Sequence, residues 1–379
     1  MTALDFSLTS PTGDHAPLRD EVRAFLSDAM PENYGPSERA RSWTGFDAAF
    51  SRKLGARGWI GMTLPVEYGG HGRSAVERHI VVEELLAAGA PVAAHWIADR
   101  QSAPMILHNG TEEQRRTILP RIAAGECFFC IGMSEPDSGS DLASVRMRAE
   151  RIDKGFRLTG TKLWTTYAHE AHYMIVFCRT GAAEDRHGGM SQFLVDMTLP
   201  GIHVRPVLDM AGEHHINEVN FDGVVVPSSA LLGKEGAGWS QVMSELSFER
   251  SGPERFLSSF ALVDEMMRSI SRPADLVSER AIGRLAAHLM VLRHMSQSIA
   301  ARLARGEKPD LHAAVVKDLG ASFEQDIPEV ARTLVDPNRA DAEFNATLDR
   351  LRMAAPSFSL RGGTREVLRG IIARGLGLR

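Results

Sequence analysis

The sequence predicts an α+β protein in which a helical part, a β part and a second helical part follow one another along the chain. Apolar residues recur with the helical period over residues 1–125, with the strand period of two over residues 126–235, and again with the helical period over residues 236–379. These periodicities predict an N-terminal helical domain, a middle antiparallel β-sandwich or barrel, and a C-terminal helical bundle.

The N-terminal part contains four stretches with helical periodicity. Pro17 suits the first turn of the first helix, where its missing N–H is not needed. Thr111 and Gln114 have the spacing of a capping box at the start of the fourth helix, which ends before Gly125. The predicted helices begin near Pro17, run over Phe46–Ala56 and Val76–Ala88, and start at Thr111.

The middle part contains seven short runs in which apolar residues dominate or alternate, separated by Gly, Asp and Pro. Such runs at close spacing are typical of a compact antiparallel sheet of about 100 residues. The predicted strands are Cys127–Met133, Val145–Ile152, Phe156–Trp164, Tyr173–Cys178, Gln192–Val195, Ile202–Leu208 and Val219–Val226.

After the turn Gly233–Gly236 the helical period returns and continues to the end of the sequence. Prolines interrupt it at intervals, which predicts long helices with short breaks, packed as a bundle. The interrupting residues are Pro253, Pro273, Pro309, Pro328, Pro337 and Pro356.

The composition excludes several classes of partner. The 379 residues include 43 Lys and Arg against 48 Asp and Glu, for a formal net charge of −5. Since no basic stripe is interleaved with aromatic residues, we expect no nucleic-acid partner. The longest uncharged apolar stretch, Leu85–Ala98, is shorter than the roughly 18 residues of a spanning helix, so we expect no membrane insertion. Asp5 near the start argues against a secretory signal, and the predicted location is the cytoplasm.

Two patterns of metal-ligating residues are present, and neither is interpreted as a metal site. Cys127 and Cys130 have a CxxC spacing, but they lie in a predicted buried strand, on which residues i and i+3 face opposite sides. His214 and His215 follow Glu213, but adjacent residues rarely point at one ion. We therefore expect no bound metal.

Two stretches that follow or end predicted strands carry the residue types of a ligand site. Gly132–Ser144 combines small residues, hydroxyls and backbone N–H groups in a tight loop that can approach a flat or phosphorylated ligand closely. Gly160–Thr166 ends with the apolar plane of Trp164 and two hydroxyl groups, Thr165 and Thr166. Taken singly, an ordinary polar turn and a core tryptophan are the commoner explanations.

Taken together, these two stretches resemble the acyl-CoA dehydrogenase family of flavoproteins. His215–Asp222, which runs into Val226–Pro227, resembles another segment of that family. So does Gly362–Arg369 followed by Ile371–Leu378 near the end of the sequence. The resemblance covers nearly the whole chain, and it implies the family's order of helical domain, β domain and helical bundle.

The resemblance implies FAD as the cofactor. It places Ser134 near the isoalloxazine ring, Ser140 towards the pantetheine side of the substrate, and Trp164 to Thr166 beside the ring. The residues that the resemblance assigns to FAD are Ile131, Met133, Ser134, Gly139, Ser140, Trp164, Thr165, Thr166, Thr364 and Glu366.

The implied reaction is the α,β-dehydrogenation of an acyl-CoA thioester to the 2-enoyl-CoA, a step of lipid metabolism and fatty-acid β-oxidation. The electrons pass to an electron-transfer flavoprotein. A carboxylate base takes the α-proton, FAD takes the β-hydrogen as hydride, and two hydrogen-bond donors stabilise the thioester carbonyl.

The resemblance offers two positions for the base. Many members carry the glutamate directly before Gly-Thr in the C-terminal signature, but here that residue is Gly362, whose backbone N–H can still hold the thioester carbonyl. Other members place it on the first bundle helix before an arginine, which corresponds to Glu249 before Arg250. We therefore predict Glu249 as the base, with Glu245 as competitor and a solvated ion pair as the plain alternative. Ser247 and Arg250 are expected on the substrate side.

Two family elements are missing from this sequence. An Arg-x-x-Phe-Gly stretch normally reaches the FAD pyrophosphate, and Arg255 comes too early to supply it. A Gln-x-x-Gly-Gly segment normally serves the adenine side, and Leu334–Asn338 stands in its place. The expected assembly is therefore either a homo-oligomer, dimer or tetramer, or a hetero-oligomer whose related subunit completes the FAD site.

Two other functions stay open at this point. A flavin-dependent monooxygenase of the same fold reoxidises its flavin with oxygen, although the Glu249 carboxylate counts against this function. A degenerate subunit that only stabilises an active partner would explain the missing elements. The acyl group cannot be read from the sequence, but Gly362 removes a bulky carboxylate from one wall and favours branched or ring-bearing chains.

Overall fold

The computed structural model describes residues 4–6, 15–181, 186–250, 252–270, 275–336, 338 and 340–378, with the backbone alone for residues 245–249. The helices are α1 (Ala16–Ala29), α2 (Pro36–Arg39), α3 (Ala48–Ala56), α4 (Ala75–Ala87), α5 (Ala93–Ile97), α6 (Ala103–Asn109), α7 (Glu112–Ala123), α8 (Gly238–Glu249), α9 (Phe260–Ser269), α10 (Leu276–Ala304), α11 (Asp310–Leu334), α12 (Ala342–Phe358) and α13 (Arg365–Gly375). The strands are β1 (Phe129–Gly132), β2 (Arg148–Ile152), β3 (Gly155–Thr166), β4 (Tyr173–Arg179), β5 (Met190–Asp196), β6 (Ile202–Leu208), β7 (His214–Pro227) and β8 (Leu231–Leu232).

Local sequence signals account for several of the helix ends. Pro17 lies in the first turn of α1, where the sequence predicts it. The Thr111 hydroxyl accepts from the Gln114 N–H, and the Gln114 side chain accepts from the Thr111 N–H, which confirms the capping box of α7. Ser74 and Glu77 form a second capping box at the start of α4.

The sequence does not predict α5, α6 or the π-helical turn Ala98–Ser102 that joins them. These helices are buried on most sides, for example at Trp96, Ala98 and Ile106. A helix without a polar face has no amphipathic period, so the pattern that reveals surface helices is missing.

The eight strands form one mixed sheet in the order β6-β7-β3-β2-β4-β5-β8, with β1 paired to β4. Most neighbours are antiparallel, as predicted. However, β1 pairs with β4 in parallel, and the first residue of β2 also pairs with β4 in parallel. Parallel pairing requires a long crossover connection, and the chain that forms β2 and β3 supplies the one between β1 and β4.

The described chain forms two compact units. The bundle unit consists of residues 1–50, 73–93 and 249–379, and the sheet unit consists of residues 51–72 and 94–248. The larger core cluster of the sheet unit includes the fully buried Leu158, Val176 and Phe193, and a second cluster includes Phe177 and Met190, so β4 and β5 are buried on both faces. Among the described residues, each helix is too short or too polar to cross a bilayer.

In the bundle unit, a buried glutamate of α4 pairs with arginines of α1 and α10. The Glu83 carboxylate accepts two hydrogen bonds from Arg293, at 2.7 and 3.0 Å, and pairs with Arg19 at 2.7 Å. His79, one turn before Glu83, is 6% exposed. Burial lowers the pKa of His79 to about 4, although the Glu83 charge opposes the shift.

Acid is therefore expected to destabilise the protein through His79. Between pH 6.5 and pH 4, His79 binds a proton in the unfolded state but not in the folded state. The free energy of unfolding therefore decreases as the pH is lowered from 6.5 to 4, and it is lowest below pH 4. A shift of this size corresponds to a loss of about 3 kcal/mol. Urea unfolding midpoints measured from pH 7 to pH 4 test this, and His79→Leu should flatten the profile. The same substitution at the exposed His203 serves as the control, and an equal effect there would contradict the assignment.

Candidate active site

The loop after β1 begins at Gly132, where a larger residue would displace neighbouring side chains. A Cβ at Gly132 would lie 2.0 Å from Cε of Met174 and 3.0 Å from Cγ of Lys162. The missing side chain of Gly132 therefore leaves room for the buried Met174 and Lys162 side chains.

Glu135 ties this loop to the neighbouring strands. Its carboxylate accepts from the backbone N–H groups of Arg146 and Met147, at 2.7 and 3.0 Å. It also accepts from Nζ of Lys162 at 2.8 Å. Glu135 is 7% exposed and Lys162 is fully buried, so this is an ion pair inside the protein. It closes the loop by joining its start to the chain that follows it.

Lys162 links the same loop to β3. Its Nζ also donates to the carbonyl oxygen of Met133 at 3.0 Å. The next residue, Leu163, donates its N–H to the carbonyl oxygen of Ser134 at 2.9 Å. Burial lowers the pKa of Lys162, and the Glu135 carboxylate opposes that shift. The two stretches that the sequence analysis singles out are thus held together by direct bonds.

Trp164 lies on a bulge of β3 and is strained. Its φ is +62°, and the register of β3 against β7 shifts between Lys162 and Thr165. A non-glycine residue with such a backbone costs about 1–3 kcal/mol, and such residues cluster at functional sites. The Trp164 side chain is 59% exposed, so the sheet unit itself does not bury this indole plane.

Thr165, next to the bulge, is buried, in contrast to the exposed Trp164. It is 1% exposed, and its hydroxyl has no hydrogen-bond partner within the described part of the chain. A buried polar group without a partner costs about 1–3 kcal/mol. An exposed apolar plane beside a buried hydroxyl is the arrangement expected for a flat aromatic ligand with polar edge atoms.

Asn217 supports the bulge from β7. It is fully buried, and its Nδ2 donates to the carbonyl oxygen of Thr165 at 3.0 Å. Its Oδ1 lies 3.1 Å from Nδ1 of His169 and 2.7 Å from Nε2 of His214, and the two imidazole rings stack with centroids 4.0 Å apart. Burial lowers the pKa of His169, and the charge of His214 lowers it further.

His214 and His215 turn to different partners. His214 contacts Asn217, whereas Nδ1 of His215 lies 3.6 Å from the Asp209 carboxylate. Asp209, Glu213 and His215 present ligand atoms within 4.8 Å of one another, all half-buried. The expectation that no metal binds stays a prediction.

The other residues predicted in the sheet unit lie along the same segments. Ile131, at the end of β1, Met133 and Ser134 are half-buried, and Thr166 is half-buried at the end of β3. Gly139 and Ser140 are exposed on the loop. The side chain of Ser247, like that of Glu245, lies outside the described residues.

The predicted base and its neighbour lie where α8 ends. Glu249 is the last residue of α8, and its side chain lies outside the described residues. Arg250 is 6% exposed, and its Nε donates to the carbonyl oxygen of Gly362 at 3.2 Å. A Cβ at Gly363, where φ is +96°, would lie 3.3 Å from Nη2 of Arg250. The buried arginine therefore packs under a turn of two glycines.

The last predicted residues begin α13. Thr364 is its N-cap, and the hydroxyl accepts from the N–H of Val367 at 3.4 Å. Glu366 lies in the first turn, and hydrogen bonds from its own backbone N–H and from Thr364 lower its pKa. Thr364 and Glu366 thus stabilise the start of α13.

The sequence pattern does not reveal Glu135, Lys162 and Asn217 as supports of the candidate site. The available signal was a Glu and a Lys inside otherwise apolar or small-residue stretches, because a buried charge needs a partner. The partner itself lies 27 residues away along the chain, which spacing alone does not reveal.

Comparison with known proteins matches all three parts of the chain to family models. Residues 12–126 match the acyl-CoA dehydrogenase N-terminal domain, residues 130–224 the middle domain, and residues 236–377 the C-terminal domain. The chain is 31% identical to the acyl-CoA dehydrogenase IpdE1 of Mycobacterium tuberculosis over 383 residues, which covers 95% of this chain and 97% of that protein.

Solved structures are similar over the same length. The Tcur3481-Tcur3483 steroid ACAD has a TM-score of 0.86 at 26% identity and covers 98% of this chain and 99% of its own. The ChsE4-ChsE5 complex from Mycobacterium tuberculosis has a TM-score of 0.83 at 29% identity, with 98% and 99% covered. The predicted fold is confirmed: the chain belongs to the acyl-CoA dehydrogenase family of flavoprotein oxidoreductases.

Proposed function

We propose that this chain oxidises an acyl-CoA thioester to the 2-enoyl-CoA with FAD as its cofactor and an electron-transfer flavoprotein as acceptor. The observation that carries the proposal is the pair formed by the strained, exposed Trp164 and the buried, unpartnered Thr165 hydroxyl. A flat ring with polar edge atoms covers the exposed indole plane and offers a partner to the Thr165 hydroxyl.

The residues present fit FAD at this place. The Trp164 indole offers a plane for stacking, and the Thr165 hydroxyl and the N–H groups of the Ile131–Ser140 loop offer donors for its edge. When bound, FAD supplies the redox chemistry by accepting the hydride of the β-carbon.

The remaining roles fall to residues of the bundle. Glu249 takes the α-proton, and the Gly362 N–H donates to the thioester carbonyl oxygen, where negative charge develops. Arg250 donates a hydrogen bond to the Gly362 carbonyl oxygen and so keeps the Gly362 N–H in place. Arg250 also faces the substrate side. This assignment puts the chain in the subgroup with the base on the first bundle helix.

The direct test is a panel of acyl-CoA thioesters with an artificial electron acceptor, using purified protein with bound FAD. Branched or ring-bearing acyl groups are expected to be oxidised fastest, because Gly362 leaves room where other members carry a carboxylate, and a similar structure is described as a steroid ACAD. A preference for short straight chains would contradict the substrate class. Rapid oxygen consumption without acyl-CoA oxidation would favour a monooxygenase.

Removing the Thr165 hydroxyl is expected to weaken FAD without harming the protein. Thr165→Val should raise the Kd for FAD about 10-fold, the value of one hydrogen bond, while the unfolding midpoint of the FAD-free protein stays equal or rises. The matched control is Thr161→Val, since Oγ1 of Thr161 accepts from Asn220 at 3.0 Å. This control should destabilise the FAD-free protein and leave FAD affinity unchanged. A reversed pattern would contradict the FAD site.

We further propose that a related subunit completes the FAD site. The sequence lacks the arginine that would meet the diphosphate, and Arg255, at 2% exposure, is buried within the bundle unit. Among similar structures, the ChsE4-ChsE5 complex is formed by two named chains. Expression of this chain alone should give little bound flavin, and a yellow, active protein would reject the need for a partner. The location in the cytoplasm stays a prediction.

A further inference from the structure

We infer that the buried ion pair between Arg361 and Glu324 positions the Gly362 N–H for the reaction. Arg361 directly precedes Gly362, and Glu324 lies on α11. The inference rests on the proposed function, because the donor role of Gly362 belongs to it. Arg361 and Glu324 are thus positioning residues that act through the backbone of the turn.

The pair is enclosed and fully hydrogen-bonded on the carboxylate side. Nη2 of Arg361 lies 2.9 Å from Oε2 of Glu324, with side-chain exposures of 12% and 1%. Oε1 of Glu324 accepts from the N–H of Ser258 at 2.8 Å. The Ser258 hydroxyl lies 2.7 Å from the same Nη2. Arg361 is therefore tied both to α11 and to the segment that follows α8.

Aromatic and backbone contacts fix the rest of Arg361. Its guanidinium lies over the rings of Trp43 and Phe358, at 4.0 and 4.7 Å from their centroids. Its backbone N–H donates to the carbonyl oxygen of Ser357 at 3.2 Å. Lys317, also buried, donates to the carbonyl oxygen of Phe358 at 2.7 Å and so fixes the end of α12. The residue before Gly362 thus has little freedom to move.

The turn is held on its far side as well. Arg250 bonds the Gly362 carbonyl, and Arg365 pairs with Asp318 at 2.8 Å. In contrast, the Gly362 N–H donates to no acceptor within the described chain. A fixed turn that leaves one N–H available is what a preorganised donor to a developing oxyanion requires.

Orientation of this donor matters because electrostatic stabilisation depends steeply on geometry. A misplacement of about 1 Å can cost on the order of 100-fold in rate. Arg361 is enclosed by its own unit, so we expect its loss to change the geometry of the turn rather than to remove a group that binds CoA.

The test is the double variant Arg361→Met with Glu324→Gln in the holoenzyme, with its partner subunit if one is needed. Replacing both members leaves no unpaired charge in the bundle, so the variant is expected to fold. We expect kcat to fall about 10- to 100-fold with KM nearly unchanged. The C=O stretching frequency of bound pivaloyl-CoA, which has no α-hydrogen, should shift towards its value in solution. Backbone hydrogen exchange over residues 361–364 should become faster.

The control is Arg293→Met with Glu83→Gln, which removes another Arg–Glu pair of the same unit, in which Glu83 is buried and Arg293 is exposed. This control should leave kcat, the carbonyl frequency and the exchange of residues 361–364 unchanged. If both double variants lose kcat equally, or if the Arg361 variant keeps kcat and the carbonyl frequency, the positioning inference is overturned.

The parent enzyme separates this inference from the proposed function. If the parent oxidises acyl-CoA and the Arg361 variant oxidises it equally well, only the positioning of Gly362 is rejected. A parent that binds FAD but oxidises no acyl-CoA rejects the proposed function, and the catalytic role of the pair with it.

Discussion

Glu249→Gln is expected to lower the rate of flavin reduction by acyl-CoA about 10²- to 10⁴-fold, the usual contribution of a general base. Glutamine keeps the size of the side chain, but its amide cannot accept the α-proton. Because α8 ends at Glu249 and the substitution adds no bulk, FAD content and the unfolding midpoint should not change. Rapid-mixing absorbance of the flavin band, with acyl-CoA in excess, measures the effect.

Glu245→Gln is the matched control, since it makes the same change one helical turn earlier on α8. It should keep the parental rate of flavin reduction. Parental turnover in Glu249→Gln, or a larger loss in Glu245→Gln, would reject Glu249 as the base.

Lys162→Met is expected to be the most damaging substitution in the sheet unit. It leaves the Glu135 carboxylate inside the protein without its cation, which typically costs about 3–5 kcal/mol. It also removes the bond to the Met133 carbonyl, so the loop that carries residues proposed to line FAD loses two of its attachments. Urea unfolding and the amount of bound FAD are the two measurements, and both should fall.

Two further variants separate the charge from the packing. Lys162→Met with Glu135→Gln should recover part of the stability, because no unpaired charge is left inside. Asp141→Asn breaks the exposed pair of Asp141 with Arg186 on the same loop, and it should change stability by less than about 1 kcal/mol. If Lys162→Met were as harmless as Asp141→Asn, the pair would not hold the loop.

The elements that the sequence predicts well are those with a local signal. The Thr111 and Gln114 capping box specifies the start of α7 within one turn of chain, and both hydrogen bonds are present. Alternating or continuous apolar runs predict most of the strands, because strands with one buried face alternate and strands buried on both faces, such as β4 and β5, do not. The buried helices around Trp96 have neither signal and are missed.

The parts of the site that could not be predicted depend on contacts between distant segments. The parallel pairing of β1 with β4 places Gly132 opposite Val176. No local sequence pattern indicates which strands will be neighbours in the sheet. The bulge at Trp164 arises from the register of β3 against β7. Resemblance to a family predicts these segments as a candidate site, whereas the strain at Trp164 and the unpartnered Thr165 hydroxyl are visible only in three dimensions.

The discontinuous bundle unit has a consequence for synthesis on the ribosome. Helix α4 packs against α1 and against α10, so the face of α4 that meets α10 stays uncovered until residues 249–379 have emerged. Residues 94–248 of the sheet unit can pair their strands earlier, because their partners lie within one continuous stretch. We therefore expect the nascent N-terminal helices to be prone to aggregation while most of the polypeptide is translated, and premature stop codons after α8 should yield aggregates rather than a shortened enzyme.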